Sequence, residues 1–237
     1  LGRPTILPVP SVALRVLFGD AAAVLLGGQR VLPRAALARG FPFAFGDLET
    51  ALADILRGGD VDVGPSDDAP EHPYLEKRRP THMLSAATTL AAPIERVFDF
   101  FSRPENLGVI TPPNMSFEML TAPPTQDAMA AGIEIDYAIR LGPIPLRWRT
   151  RIEAFERGRR FVDSQLRGPY RCWWHEHTFV ADGDRTIMED RVLYAPPLGL
   201  LGRLANAVFV APMLRRIFRY RSDSVRLRFG TIPTPTI

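Results

Sequence analysis

Two residue types are almost missing from this chain of 237 residues. Cysteine occurs once, as Cys172, so no intramolecular disulfide framework holds the fold, and a reducing cytoplasm is the expected setting. Lysine also occurs once, as Lys77. The basic side chains are therefore almost all arginine, which with the abundant Ala, Gly and Pro suggests a GC-rich bacterial genome. No apolar run reaches the roughly 20 residues that a membrane-spanning helix needs. The nearest, Leu198 to Leu214, is interrupted by Arg203, Asn206 and Pro212. The early apolar run is broken by Pro8, Pro10, Arg15 and Asp20, so no signal peptide is expected there. A Gly-rich strand–turn–helix fingerprint is also absent, and with it any cradle for a pyrophosphate. There is no Tyr-x-x-x-Lys pair either, because Pro73 stands four residues before Lys77. The expected cofactor is none, and the chain by itself is not expected to transfer hydride. A net charge of +3 permits anionic partners without pointing to nucleic acid, which is not an expected partner.

What is present reads as globular: 46% hydrophobic and 23% charged residues suit one large or two small domains with a real core. Short helices come first. Ser11 caps "SVALRVLFG", Pro33 opens and Gly40 closes "LPRAALARGF", and Asp47 caps "DLETALADIL" with Leu48, Leu52 and Ile55 as its apolar stripe. Residues 57–82, rich in Gly, Pro and charge and without apolar period, read as an exposed linker carrying solvated His72 and His82. Residues 83–230 then give a strand ("MLSAATTLAAP"), an amphipathic helix with Val97, Phe98 and Phe101 on one face and a second short helix. About six strands in period two follow, and a long closing helix kinked at Pro212. The strand "GIEIDYAIRL" shows the alternation best, with Ile133, Ile135, Tyr137 and Ile139 on one face.

The words "QRVLPRAALARGFPFAF", with Gln29, Arg30, Pro33, Gly40, Phe41, Phe43 and Phe45 in place, resemble the C-terminal tail of epimerase-like short-chain dehydrogenase proteins (DUF1731). That resemblance covers residues 1–56. It implies a nucleotide-binding half as partner, in cis or in trans, and a chain that is a fragment of something longer. The words "IERVFDFFSRPENLGVITPP", "GPYRCWWHEHTF", "TIMEDRVLYAPPLG" and the closing helix resemble the START-like, or SRPBCC, superfamily over residues 83–229. Its members include polyketide cyclases, coenzyme-Q-binding proteins and ligand carriers. The resemblance implies an α+β helix-grip fold, a curved antiparallel sheet around a long C-terminal helix with a cavity between them. The implied function is binding of a hydrophobic small molecule. The alternatives are one part of a sugar-nucleotide-epimerase-like oxidoreductase, or a cyclase.

Half of the chain's four histidines lie in "YRCWWHEHTFV". In a strand Trp173, His175, His177 and Phe179 share one face, and Cys172, Trp174, Glu176 and Thr178 the other. Met188, Asp190 and Tyr194 turn inward on the next strand because Glu189 and Arg191 belong in water; Phe161, Asp163 and Gln165 form a third inner set. The expected ligand site is thus His175, His177, Asp190, Asp163 and Gln165 among Trp148, Tyr137, Trp173 and Tyr194: an apolar wall with few placed polar groups. These groups either bond only one another, orient a ligand, hold a metal with Asp190 or Asp163 as third ligand, or move protons in a cyclase. The ligand-orienting reading is preferred, with no metal assigned and catalytic residues unknown. The closing arginines Arg215, Arg216, Arg219, Arg221, Arg226 and Arg228 offer either a contact with an anionic membrane or, preferably, a solvated helix face.

Overall fold

The structure, a computed structural model, describes residues 11–19, 22, 32–40, 47, 61–122, 129–141 and 144–230. The chain divides into two compact units, Leu1–Leu52 and Ala53–Ile237. In the first, α1 (Ser11–Phe18) starts with Ser11 as its first helical residue, and α2 (Arg34–Ala38) follows Pro33. Gly40 comes after α2 at φ +68°, a backbone that favours glycine. The helix expected after Asp47, with its stripe Leu48, Leu52 and Ile55, lies outside the described residues.

The second unit is built on one antiparallel sheet of eight strands in the order β1-β2-β8-β7-β6-β5-β4-β3. In chain order come β1 (Val61–Pro65), α3 (Pro73–Lys77), β2 (His82–Leu90), α4 (Ile94–Phe101) and two 3₁₀ turns, Pro104–Gly108 and Pro113–Met115. Then follow β3 (Glu118–Met119), β4 (Glu134–Leu141), β5 (Ile144–Glu156), β6 (Arg160–Arg167), β7 (Cys172–Asp182) and β8 (Arg185–Ala195). The chain closes with α5 (Gly199–Ala205), a π-helical turn (Asn206–Val210) and α6 (Ala211–Phe229). This is the helix-grip arrangement. At Pro212, where a kink is expected, the chain runs from the π turn directly into α6, and the irregular turn falls just before the proline, where the regular hydrogen-bond ladder would lack its N–H.

The burial pattern follows period two. On one face Leu84, Val192, Trp173, Leu214 and Phe218 pack at one end of α6, and Leu90, Phe98, Phe179, Val225 and Phe229 at the other. Each such side chain stabilises the fold by roughly 1.5–3 kcal/mol.

The described part of the expected linker is no linker. Val61–Pro65 pairs with Met83 and its neighbours as the edge strand β1, from Val61↔Ala86 to Pro65↔His82. His72 caps α3 by accepting from the Tyr74 N–H at 3.3 Å, and His82 opens β2; both are half-buried rather than solvated. Helix α3 lays Tyr74 and Leu75 on the other face of the sheet, over Cys172, Trp174 and Leu193. The Tyr74 hydroxyl donates to the Gln165 carbonyl at 3.0 Å and accepts from the Trp173 N–H at 3.1 Å. Two long-range hydrogen bonds and a ladder therefore hold a stretch whose local composition signals only turns.

Candidate functional site

Alternation along β7 puts His175 and His177 on the α6 side, and strand register supplies their partners. Asp163 of β6 stands opposite His175, and Asp190 of β8 stands opposite His177. Asp190 Oδ1 lies 2.9 Å from His175 Nε2 and 2.7 Å from His177 Nδ1, the second contact lying off the hydrogen-bond direction. Arg221 Nη1 approaches the same oxygen at 3.4 Å. On the other side of the rings, Asp163 Oδ2 is 3.6 Å from His175 Nδ1 and 3.7 Å from His177 Nε2. Two imidazoles are thus clasped between a buried carboxylate behind and a partly accessible one in front.

The electrostatics divide the pair. Burial, and then the charge of His177, push His175 down to about 4. Burial acts on His177 in the same direction, but the Asp190 charge and the Asp163 carboxylate outweigh it and hold His177 above its usual value. For Asp190 burial would favour the acid; His177, Arg221 and His175 hold it well below the carboxylate range. At neutral pH the cluster therefore favours anionic Asp190, cationic Arg221 and a neutral His175.

Two adjoining cavities open in front. One, of about 90 Å³, has Phe101, Ile135, Phe161 and Ile152 as apolar wall and His177 at its polar end. The other, of about 130 Å³, has Trp148, Trp173, Ile139 and Leu214 with His175. Leu107, Phe117, Tyr137, Asp163 and Arg221 belong to both, so the charged pair sits at the junction. Tyr137 is half-buried, the desolvation of its phenol lifts it far above the usual value, and its hydroxyl is 3.3 Å from Thr150 Oγ1.

Of the nine expected site residues, seven come together. His175, His177, Asp163, Tyr137, Trp148 and Trp173 line the cavities, and Asp190 stands directly behind the histidines. Two do not line them. Gln165 lies past a register shift of the β5–β6 ladder, and its amide closes the β6–β7 turn: Nε2 donates to the Tyr170 carbonyl at 2.6 Å and Oε1 accepts from the Tyr170 N–H at 3.3 Å. Tyr194 faces inward but lies under the π turn, its hydroxyl donating to Asn206 Oδ1 at 3.0 Å. The residue that sequence reasoning missed is Arg221. It is buried and reaches the junction, with its guanidinium over the Phe218 ring at 4.7 Å. The signal was spacing: Leu214, Phe218, Arg221, Val225 and Phe229 form one helical stripe, and that stripe is the buried one. Nor do the other closing arginines form one solvated face. Arg215 donates to the Val63 carbonyl at 2.8 Å, and Arg228 lies over the Phe100 ring at 4.6 Å.

A sheet gripping a long C-terminal helix, with a lined cavity between them, defines a START-like domain. Residues 90–218, more than half of the chain, match the family described as polyketide cyclase / dehydrase and lipid transport, and the chain belongs to that family. Residues 9–55 match the domain of unknown function DUF1731. Over that segment the chain is 48% identical, across 56 residues, to epimerase family protein SDR39U1 of Mus musculus. The match takes in 24% of this chain and 19% of the mouse protein, so the chain spans about a fifth of the length of such curated relatives. Among solved structures, a START superfamily protein from Mycobacterium smegmatis is 14% identical with a TM-score of 0.47, over 62% of this chain and 96% of its own. The nucleoside-diphosphate sugar epimerase from Corynebacterium glutamicum is 24% identical with a TM-score of 0.43, over 60% of this chain and 28% of its own. Among the described residues no helix is long and apolar enough to cross a membrane.

Proposed function

We propose that the START-like domain binds a hydrophobic, ring-bearing small molecule with two apolar lobes and a polar group at its waist. The observation that carries this reading is the shared junction: Asp163 and Arg221 belong to both cavities, while most of the remaining wall is aromatic or aliphatic. A dry cavity of about 150 Å³ admits one benzene ring. The chambers, of about 90 and 130 Å³, are each smaller than that, so each takes a lobe no larger than a single small ring. The waist group meets a guanidinium and a carboxylate in a poorly hydrated setting, where a fixed hydrogen bond gives orientation and specificity. The test uses 1-anilinonaphthalene-8-sulfonate, a ring-bearing anion, as fluorescent probe. Saturable binding at micromolar concentration is expected. Arg221→Met should weaken it by roughly 1–3 kcal/mol, and Ile135→Trp, which fills the first cavity, should weaken it at least as much. Probe binding untouched by both changes refutes the reading.

A second reading is favoured by the 48% identity of the N-terminal segment to an epimerase family protein. In company with a nucleotide-binding half, residues 1–56 serve as a contact to that half and the START-like domain presents substrate to it. The chain alone then gives no saturable signal with NADP or NAD. Clear binding overturns that division of labour.

A further inference from the structure

We infer that Asp163, His175 and His177 form a site for one divalent transition-metal ion of the zinc type, with its open coordination positions facing the two cavities. This inference shares the cavity of the preceding reading but does not depend on its ligand.

The three residues each offer one ligand atom, and all three atoms lie within 4.8 Å of one another. Their spacing is informative. Asp163 Oδ2 stands 3.6 Å from His175 Nδ1 and 3.7 Å from His177 Nε2. A charge-assisted hydrogen bond closes to about 2.7–2.9 Å, and these contacts have not closed. Among the described residues the Asp163 carboxylate makes no hydrogen bond under 3.5 Å. Two ligands sharing a tetrahedral ion at bonds of about 2.1 Å stand about 3.4 Å apart, within a few tenths of the spacing found.

The second observation lies behind the rings. The outer nitrogens, His175 Nε2 and His177 Nδ1, both face Asp190 Oδ1, at 2.9 and 2.7 Å. The carboxylate accepts the His175 Nε2–H, and its charge lies against His177 Nδ1 off the hydrogen-bond direction, which turns the opposite nitrogens, those that face Asp163, toward the cavity as lone pairs. That carboxylate–histidine arrangement is how metal-ligating imidazoles are oriented and made more basic. All three ligands sit on the adjacent strands β6 and β7 in fixed register, so the site is preformed. The charge is also right: once both imidazoles bind as neutral ligands, two carboxylates against the one guanidinium of Arg221 leave a net negative charge for a dication. Two imidazoles and one carboxylate suit zinc, cobalt, nickel or ferrous ions and discriminate against magnesium and calcium, which prefer all-oxygen sites. With three protein ligands and cavities in front, a water or a ligand atom completes the sphere.

The test uses the full chain, stripped with a chelator, dialysed and titrated with cobalt(II) at neutral pH. Visible absorption of cobalt held by nitrogen and oxygen should saturate at one equivalent and bleach on adding zinc. His175→Gln and Asp163→Asn should each weaken binding at least about 10-fold, and Asp190→Asn, acting through the rings, about 10–100-fold. Changing His72 and His82, the remaining two histidines, should leave the titration unchanged. X-ray absorption of the wild-type zinc form should show two imidazoles and no sulfur, a readout that needs no variant to fold. Absence of a stoichiometric cobalt signal, a signal surviving the His175→Gln/His177→Gln double change, or a zinc shell with fewer than two imidazoles overturns the inference. Probe fluorescence in the same metal-free protein separates the two claims. Probe binding without cobalt binding removes only the metal, and cobalt binding without probe binding removes only the apolar ligand.

Discussion

Replacing Asp190 by asparagine keeps the shape of the side chain and removes one charge, which makes it a sharp probe of the cluster. A single oxygen, Oδ1, lies 2.9 Å from His175, 2.7 Å from His177 and 3.4 Å from Arg221, and the residue is only 4% exposed. Without the charge, Arg221 stays buried with no counter-ion from this side, and its Nε already lacks a partner. Removing one member of a buried ion pair costs about 3–5 kcal/mol, because the other charge is left uncompensated. Asparagine still offers one acceptor and His177 can release its proton, so the lower end, about 3 kcal/mol, is expected. In urea, with a slope of about 2 kcal/mol per molar, that moves the unfolding midpoint down by about 1.5 M. Trp148, Trp173 and Trp174 are all buried and report the transition by fluorescence. The decisive comparison is the double variant Asp190→Asn/Arg221→Met. Once the orphaned guanidinium is gone, about 1–2 kcal/mol should return as coupling between the sites. A single-variant loss below about 1 kcal/mol, or a double variant no more stable than the sum of the single ones, refutes the charge argument.

Two further outcomes follow from the same geometry. In the presence of a chelator, stability should fall on both sides of the ordinary imidazole value of 6.5. His175, depressed to about 4, binds its proton more readily in the unfolded chain, so its contribution is lost as pH drops from 6.5 towards 4. His177, raised, contributes below 6.5 and loses that contribution as pH rises through its folded value. His175→Phe should flatten the acid flank and His177→Phe the alkaline one in pH-resolved urea titrations; unchanged flanks sink the assignment. Tyr74→Phe should cost roughly 1–3 kcal/mol, because it leaves the buried N–H of Trp173 without an acceptor. The same change should turn 61–82, otherwise resistant to limited proteolysis, into a cleavable stretch; easy cleavage in the wild type would show that α3 does not hold.

The strands that frame the site were legible because their burial repeats every second residue. Ile135 and Ile139 of β4, and His175 and His177 of β7, are buried where alternation puts them. The preference for the odd-numbered face of β7 agrees with the structure, although Trp174 on the opposite face is buried too, under Tyr74 of α3. What stayed hidden depends on partners distant in the chain. The edge strand β1 is Val-Asp-Val-Gly-Pro, two apolar residues in a run of glycine, proline and charge, and only the pairing with β2 makes it a strand. Gln165 obeys the alternation and still leaves the cavity wall, because the backbone of Tyr170 comes within reach of its amide. Arg221 was grouped with its neighbours by charge, when its place four residues before Val225 and three after Phe218 was the stronger signal.

Those residues also bear on whether the cluster is more than a satisfied polar core. A purely structural network leaves its hydrogen-bonding capacity used up on all sides, since an unmade buried hydrogen bond costs roughly 1–3 kcal/mol. Around Asp190 that condition is met in part: three cationic or N–H-bearing groups converge on one oxygen, with the His177 Nδ1 contact off the hydrogen-bond direction. On the cavity side it fails. Asp163 stands off from both rings, and the Trp148 indole Nε1 and the Arg221 Nε are buried without partners. The fold therefore spends Asp190 on holding the histidines and leaves the groups in front of them short of contacts. An isosteric change at Asp163, which is less buried and makes no close hydrogen bond among the described residues, should for that reason cost little stability while changing what the cavity binds, the opposite of the outcome at Asp190. Equal losses of stability at the two carboxylates would mean that both belong to the scaffold.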